Sequence, residues 1–487
     1  MLPSLTLLQP LHENKDTLMF NKFSYPKIML GLIISSQLVG CAALVKTPYQ
    51  APIVQIPQQF QYNKNSAQIL SEVATDQWWT LFGDDNLNHL IQQVLQQNSN
   101  LAVAGLTLKQ ARLQAGLAAD QQGLRTNASA SAGHNFDLNS GKGSDQGLSA
   151  NVGVSYTLDL FGKLARQTEA TKWEALASEQ DLQATAQTLI GTTAKLYWQL
   201  AYLQESLTTA QQSLSNSEKL YQLVQSQYRA GAVSGVELTQ AAQAVQSQKA
   251  SLSQTTQSLL ETRTALAVLL HIPVQQLQIQ APQQLPNATL PNIGAGLPAN
   301  LLSRRPDLKA KELRLRKTLA TKDATTASYY PSISLTGKLG ASSTSLVELL
   351  QNPVLALGTS INLPFLQYND MKKQLAISNL DYEKAIIEYR QSLYQAFADV
   401  ENALSARTAL DQQVALQQQN VALAQKAERL IQVQYRYGAV PLKTLLDQQQ
   451  TTRTARLALV NTKQSQYNAY VTLLQALGGS PLQQLPK

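Results

Sequence analysis

The stretch Tyr228-Arg-Ala-Gly-Ala-Val233 recurs as Tyr435-Arg-Tyr-Gly-Ala-Val440, 207 residues farther along the chain. A looser correspondence at a similar offset links Ser155-Tyr-Thr-Leu158 with Ser360-Ile-Asn-Leu363. Solenoid units are roughly 20–50 residues long, so this period is too long for a solenoid. The sequence therefore predicts an internal two-fold duplication, in which each half places a glycine-broken turn at the same end. Flanking positions match as well: Leu223, Val224, Gln227 and Leu238 correspond to Leu430, Ile431, Gln434 and Leu445.

The first turn follows a long stretch of helical character. From Lys163 to Arg229 there is no proline, and Gly191 is the one glycine. About 67 residues at 1.5 Å each would make a rod of about 100 Å. The glycine turn reverses its direction, and a second helix is predicted over 235–271. The apolar residues have heptad spacing, which is typical of a coiled coil: Leu189, Leu196, Leu200, Leu203, Leu207, Ala210 and Leu214.

The second half is predicted to repeat this plan. Its long helix covers 368–436, and a returning helix covers 441–477 with Pro441 in its first turn. The shorter predicted helices lie over 84–98 and 101–123, near Leu297, and over 307–328. The predicted domains are an extended arm at 41–75, a first repeat at 76–272, a linker at 273–296, a second repeat at 297–478 and a tail at 479–487.

Short strands with alternating apolar and polar residues precede each long helix. In the first half, Val152, Val154, Tyr156, Leu158 and Leu160 alternate strictly with polar or small residues, which predicts a strand with one apolar face. A weaker strand is predicted over 128–136, with a turn at 140–144 between the two. The second half has the same alternation at Ile333, Leu335 and Leu339, and again at Leu357, Ile361, Leu363 and Phe365.

The charge of the chain is basic but dispersed. The 487 residues carry a formal charge of +8 and only 6% aromatic residues. The densest basic run, Arg304 to Lys322, also contains Asp307 and Glu312 and lacks interleaved aromatic residues. Such a run is typical of a solvated helix face, and we expect no nucleic-acid partner. The abundance of Gln, Ala, Ser, Thr and Leu favours long helices packed along narrow seams over a thick globular core.

The N-terminus has the features of a secretory signal. Lysines at 15, 22 and 27 precede a short apolar stretch at 28–39, which ends in Leu38-Val39-Gly40-Cys41. That stretch is too short to span a bilayer as a helix. Leu-Val-Gly-Cys resembles a bacterial lipobox, so residues 1–40 are predicted to be removed and Cys41 to be lipidated. An ordinary signal peptide with a chance cysteine is the alternative, and residues 1–18 lie upstream of a second possible start, Met19.

The four strands require a partner surface. They could form half of a soluble sandwich or part of a membrane barrel. Ala42, and not aspartate, follows Cys41, which by the lipoprotein sorting pattern implies the outer membrane and favours the barrel. Membrane barrels need about eight strands or more, and open sheet edges cannot face lipid. The barrel must therefore combine several chains; three copies would supply twelve strands and a hollow cylinder of helices.

Several motifs follow one another along the chain. Besides the two turns, they are Gln77-Trp-Trp-Thr-Leu-Phe82, Tyr156-Thr-Leu-Asp-Leu-Phe-Gly-Lys163, Gly296-Leu-Pro-Ala-Asn-Leu-Leu-Ser-Arg-Arg-Pro-Asp307 and Tyr330-Pro-Ser-Ile-Ser-Leu-Thr-Gly337. In this order they resemble the TolC family of outer membrane efflux factors, in its lipoprotein (NodT-like) branch. The resemblance implies a mainly α fold with a small β part, built as a homotrimer with a periplasmic α-barrel joined to a 12-stranded outer-membrane β-barrel, four strands per chain. It also implies a periplasmic adaptor and an inner-membrane RND-type transporter as partners.

The resemblance assigns roles to residues around the two turns. Glu237 matches an acid that tethers the neighbouring helix pair through the counterpart of Tyr435, and Asp447 matches an acid at the closed entrance. Lys443, one helical turn before Asp447, departs from the family pattern and can pair with that carboxylate. The predicted gate residues are Glu237, Tyr435, Arg436, Lys443 and Asp447; a solvated surface carboxylate is the alternative for Asp447. The predicted adaptor-contacting tip residues are Arg229, Gly231, Ala232, Val233, Gly438, Ala439 and Val440.

The sequence favours a duct over an enzyme. Its histidines (His12, His89, His134 and His271) are isolated, and Met371 is the one methionine left after processing, so no catalytic or metal-relay pattern is visible. We expect no enzymatic activity, cofactor or metal. The predicted function is an outer membrane exit duct for small molecules in a Gram-negative bacterium. The alternatives are a duct for type I secretion or metal-ion export, and a non-channel periplasmic coiled-coil scaffold.

Overall fold

The computed structural model describes residues 45–62, 77–137, 139, 142–286, 290, 293, 304–343 and 353–479. Cys41, the predicted signal, the predicted helix near Leu297 and residues 480–487 lie outside these ranges. The helices are α1 (Asp85–Gln97), α2 (Ser99–Asp120), α3 (Lys163–Arg229), α4 (Gly235–Leu270), α5 (Pro306–Ala327), α6 (Tyr368–Arg436) and α7 (Leu442–Ala476). The strands are β1 (Arg125–Asp137), β2 (Lys142–Leu158), β3 (Ser332–Ser343) and β4 (Pro353–Asn362).

The helix predictions agree closely with the structure. The long helices α3 and α6 have the predicted bounds, and α1 begins after Asp84, whose side chain accepts a hydrogen bond from Leu87 N at 3.0 Å. This cap satisfies one of the free N–H groups of the first turn. Pro441 lies one residue before α7 and not within its first turn, because its ψ of 158° is extended. Among the described residues, no helix is both long and apolar enough to cross a membrane.

The four strands form one antiparallel sheet in the order β1-β2-β3-β4. Strand β2 pairs with β3, so the two repeats meet in the middle of the sheet. Residues 142–144, predicted as part of a turn, belong to β2 in the structure, where Lys142 pairs with Asp137. The strand predicted to reach Phe365 ends at Asn362, before the 3-10 turn Pro364–Leu366. Strands β1 and β4 each have one neighbour within the described sheet, and so form its edges.

The middle of the molecule contains a thick aromatic core, contrary to the expectation of narrow seams alone. Trp78 and Trp79, from the motif at 77–82, are buried against α3 and α7. The ring centroids of Trp198 and Tyr467 lie 4.4 Å apart, and Trp78 Nε1 donates to Gln187 Oε1 at 2.9 Å. Aromatic side chains from both repeats therefore pack in one core.

The basic run at 304–322 is not a simple solvated face, so that prediction is wrong. It forms most of α5, and several of its cations pair with acids on neighbouring helices. Lys317 Nζ lies 3.0 Å from Glu174 Oε2, and Arg314 pairs with both Glu174 and Asp181. The run therefore joins α5 to α3, an arrangement that helical charge spacing alone does not indicate.

Candidate functional site

The two repeated turns have the same backbone geometry. Gly231 and Gly438 have φ values of +72° and +71°, which lie in the left-handed region. Gly231 N donates to Tyr228 O at 3.0 Å, and Gly438 N donates to Tyr435 O at the same distance. Ala232 N and Ala439 N each bond the carbonyl five residues back, at 2.9 Å. Such a helix ending satisfies free carbonyl groups and requires glycine at the left-handed position.

The residues after the turns differ between the repeats. Ser234 starts α4 with a capping box: Glu237 N donates to Ser234 Oγ at 3.4 Å, and Ser234 N donates to Glu237 Oε2 at 2.9 Å. Pro441 takes the corresponding position before α7 and contributes no side-chain cap. The two hairpin tips are thus alike in their turns and different in their second helices.

An apolar cluster joins the two hairpins near their tips. Val224 of α3, Ala241 of α4 and Leu442 of α7 are buried there. Partly buried side chains surround them, including the predicted tip residue Val233 and the predicted gate residue Tyr435. The other predicted tip residues, Arg229, Gly231, Ala232, Gly438, Ala439 and Val440, lie in the same two turns, and the structure therefore brings the predicted set together.

Tyr435 and Glu237 lie close enough to interact electrostatically. Burial raises the pKa of Tyr435, and the negative charge of Glu237 raises it further. The Tyr435 hydroxyl donates to Gln227 Oε1 at 3.4 Å, while Glu237 caps its own helix. Sequence reasoning missed Gln227 as a partner, although its repetition as Gln434 beside the second turn was a signal. A tether between Glu237 and Tyr435 of neighbouring helix pairs stays a prediction.

The other predicted gate residues are exposed. Lys443 Nζ lies 2.7 Å from Asp447 Oδ2, with side chains 68% and 64% exposed, so the anticipated pair is formed. Exposed pairs of this kind contribute about 1 kcal/mol or less. Arg436 is the last residue of α6, where a cation is favoured by the helix dipole. The pair therefore contributes little to the stability of the tip, and its main effect is that Lys443 offsets the negative charge of Asp447.

Farther from the tips than the apolar cluster, polar side chains join the two hairpins. Arg453 of α7 donates to Gln248 of α4 and to Gln450, and burial lowers the pKa of Arg453. Farther along, Gln464 donates to Gln199. Sequence reasoning did not select Arg453; its one signal was a cation in a helix otherwise rich in neutral residues. The hairpins are thus joined by amide and guanidinium groups as well as by apolar contacts.

Two stretches of α6 expose apolar side chains in the single chain. Leu380 and Ile387 lie seven residues apart in its first half, and Leu416, Leu423 and Leu430 lie at successive intervals of seven in its second half. Heptad spacing is the pattern by which helices pack in coiled coils. Exposed apolar side chains in this arrangement favour packing against another helix.

Comparison with known proteins identifies the family. Residues 90–270 and 297–479, which make up most of the chain, each match the family described as outer membrane efflux protein. The chain belongs to the outer membrane efflux protein family. The two matched segments correspond to the two repeats, and the predicted relation to TolC-family channels is confirmed for this efflux protein.

Relatives align with this efflux protein over nearly their whole length. The pyoverdine export outer membrane protein OpmQ of Pseudomonas aeruginosa is 29% identical over 463 residues, covering 92% of this chain and 96% of OpmQ. The probable outer membrane lipoprotein SilC of Salmonella typhimurium is 29% identical over 451 residues, covering 91% and 96%. The MtrE outer membrane channel of Neisseria gonorrhoeae superposes with a TM-score of 0.76 at 28% identity, covering 91% and 99%.

Proposed function

We propose that three copies of this efflux protein form an outer membrane channel that is closed at its periplasmic tips. The carrying observation is that the single chain leaves two kinds of surface unpartnered. Strands β1 and β4 form the edges of the described four-stranded sheet. The free N–H and C=O groups of an exposed sheet edge favour pairing with another strand. The two exposed apolar stretches of α6 likewise favour packing against a helix of another chain. Pairing β4 of one chain with β1 of the next gives each edge strand a second hydrogen-bonded neighbour. In three copies this pairing gives twelve strands.

The channel would be a passive exit duct for small molecules. A periplasmic adaptor and an inner-membrane RND-type transporter would deliver the cargo and the energy, with the tip residues contacting the adaptor. The relative OpmQ is named for export of pyoverdine, a small molecule, which supports this cargo class over proteins. The name of SilC as a probable lipoprotein supports lipidation of Cys41.

Conductance separates the proposed duct from a scaffold without a pore. The purified full chain is reconstituted in planar bilayers, and its oligomeric state is measured by native mass spectrometry. We expect trimers and stepwise conductance, and the conductance should increase when the polar groups of Tyr435 and Glu237 at the tips are removed. A stable monomer in the membrane, or trimers that never conduct even without these polar groups, would contradict the proposal.

A further inference from the structure

The N-terminal arm, residues 45–62, is held by a buried carboxylate of α5. Thr47 N donates to Asp323 Oδ2 at 2.8 Å, and Thr47 Oγ1 donates to Asp323 Oδ1 at 2.7 Å. Both oxygens of the carboxylate are therefore bonded to a single residue, 276 positions away in the chain. Asp323 is only 3% exposed. We call these two bonds the arm clasp.

The two hydrogen bonds of the clasp compensate for the burial of the Asp323 carboxylate. A buried carboxylate is unfavourable unless hydrogen bonds compensate for lost hydration. Here the main-chain N–H and the hydroxyl of Thr47 supply both of the described hydrogen bonds. An asparagine at 323 would keep one acceptor, and its amide N–H could donate to the Thr47 hydroxyl, so both contacts could persist. A leucine can accept neither bond and therefore removes the clasp. Aspartate at this position matches a residue that offers two donors side by side.

Further contacts define the direction of the arm. The Tyr49 hydroxyl donates to Glu312 Oε1 at 3.3 Å, and the Arg316 guanidinium lies 4.3 Å from the centre of the Tyr49 ring. Glu312 precedes Asp323 by eleven residues of α5, or about 16 Å of helix. Because α5 leads into β3, Asp323 lies toward the sheet and Glu312 away from it. The arm thus begins at the sheet end of α5 and runs away from the sheet.

We propose that Asp323 is the docking site of the N-terminal arm and that the clasp fixes the lipid attachment point beside the sheet end of α5. Only five residues lie between Cys41 and Thr47, and an extended chain over these six peptide steps reaches about 20 Å. The clasp thereby limits how far the anchor lies from the sheet. This positioning role rests on the lipidation proposed above, whereas the docking itself does not.

Trypsin cleavage after Lys46 measures the clasp directly. The Lys46 side chain is 53% exposed, but the next residue is held through its N–H, which a protease must free before cleavage. The full-length protein in detergent is digested briefly, and the new N-terminus at Thr47 is quantified by mass spectrometry. The variants are Asp323→Leu and Thr47→Val, which keep the branched shape of each side chain. The matched control is Thr321→Val, because the Thr321 hydroxyl bonds within α5, to Lys317 O at 3.0 Å.

We expect cleavage after Lys46 to be at least about tenfold faster in Asp323→Leu and several-fold faster in Thr47→Val, since opening of the clasp then precedes cleavage more often. Thr321→Val should match the parent. Equal rates in the parent and both clasp variants would overturn the docking site. So would equal acceleration in the control, because general loosening and not the clasp would then be the cause.

The released peptide tests the anchor separately. If the positioning role holds, the peptide Cys41–Lys46 carries acyl chains and partitions into lipid vesicles. An unacylated peptide would overturn the positioning role and leave the docking site standing. Neither readout depends on ion conduction, so failure of the duct proposal in planar bilayers remains distinguishable from failure of the clasp.

Discussion

Gln475 Nε2 donates a hydrogen bond to the main-chain oxygen of Gln187 at 3.1 Å, and its amide lies against Gly191. This contact joins the last helix of the second repeat to the first long helix of the first. Gly191 is the single glycine within α3, and a Cβ at this position would overlap the Gln475 amide. The glycine therefore has a packing role in the middle of a helix that would otherwise disfavour it.

Replacing Gly191 with alanine should destabilise the protein. Alanine adds up to about 1 kcal/mol of helix propensity, but displacing a packed and bonded side chain costs typically 1–3 kcal/mol. We expect a net loss of about 1 kcal/mol, measured as a lower urea midpoint of helical circular dichroism. In a Gln475→Ala background the same substitution should stabilise the protein. Stabilisation in the parent background would contradict the packing role.

Weakening the links at the tips should make the channel leaky. Tyr435→Phe removes the hydroxyl that bonds Gln227, and Glu237→Gln removes a charge while keeping a side chain suited to a capping box. The predicted tether between Tyr435 and Glu237 of neighbouring helix pairs would be a hydrogen bond to a charged group, worth about 1.5–3 kcal/mol. Its loss in the double variant should give higher resting conductance and vancomycin sensitivity. Tyr437→Phe, at a side chain 85% exposed, is the control. Unchanged conductance with trimers intact would place the gate elsewhere.

Removing Lys443 should raise the cation preference of the channel. Lys443→Ala unmasks Asp447, and copies of that carboxylate around a pore attract cations. Because exposed pairs are worth about 1 kcal/mol or less, we expect at most about a fivefold change in the permeability ratio. The reversal potential in a KCl gradient measures it. Adding Asp447→Asn should cancel the change; if the shift persists, Asp447 is not its source.

His271 should be replaceable by glycine with a gain in stability. Its φ of +61° makes it the one non-glycine residue in the described chain with a left-handed backbone, at the end of α4. A side chain in this conformation costs roughly 1–2 kcal/mol, part of which glycine loses to entropy. His271→Gly should raise the free energy of unfolding by about 0.5–1 kcal/mol, whereas His271→Ala should not. A loss with glycine would show that the imidazole itself stabilises the turn.

Stability should fall at alkaline pH through the buried tyrosines. Burial, and then the charge of Asp84, raises the pKa of Tyr467 to about 12, against about 10 in the unfolded chain. The raised value stabilises the fold fully below about pH 10, and this contribution is lost as the pH rises from about 10 to 12. Tyr467→Phe should flatten the fall in thermal midpoint across this range. Tyr228→Phe, at an exposed tyrosine, should leave the fall in thermal midpoint across this pH range unchanged.

Local patterns predicted the parts of the fold that local chemistry determines. The long helices α3 and α6 have their predicted ends because heptad spacing within each helix and the glycine turn directly after it are both visible in the local sequence. The start of β1 at Arg125 was missed, since its small residues alternate weakly and pairing with β2 defines it. The clasp of Thr47 on Asp323 and the link between Arg453 and Gln248 join residues over 200 positions apart. No local pattern carries that information.

The unequal helix starts after the two turns have an evolutionary consequence. In a ring of such chains, hairpins of two kinds alternate, although both descend from one ancestral hairpin. One kind begins its second helix with the serine–glutamate cap, and the other has Pro441 and Lys443 there. Duplication thus lets the two hairpins of one chain carry different chemistry at the entrance, a freedom that a ring of identical hairpins would not have.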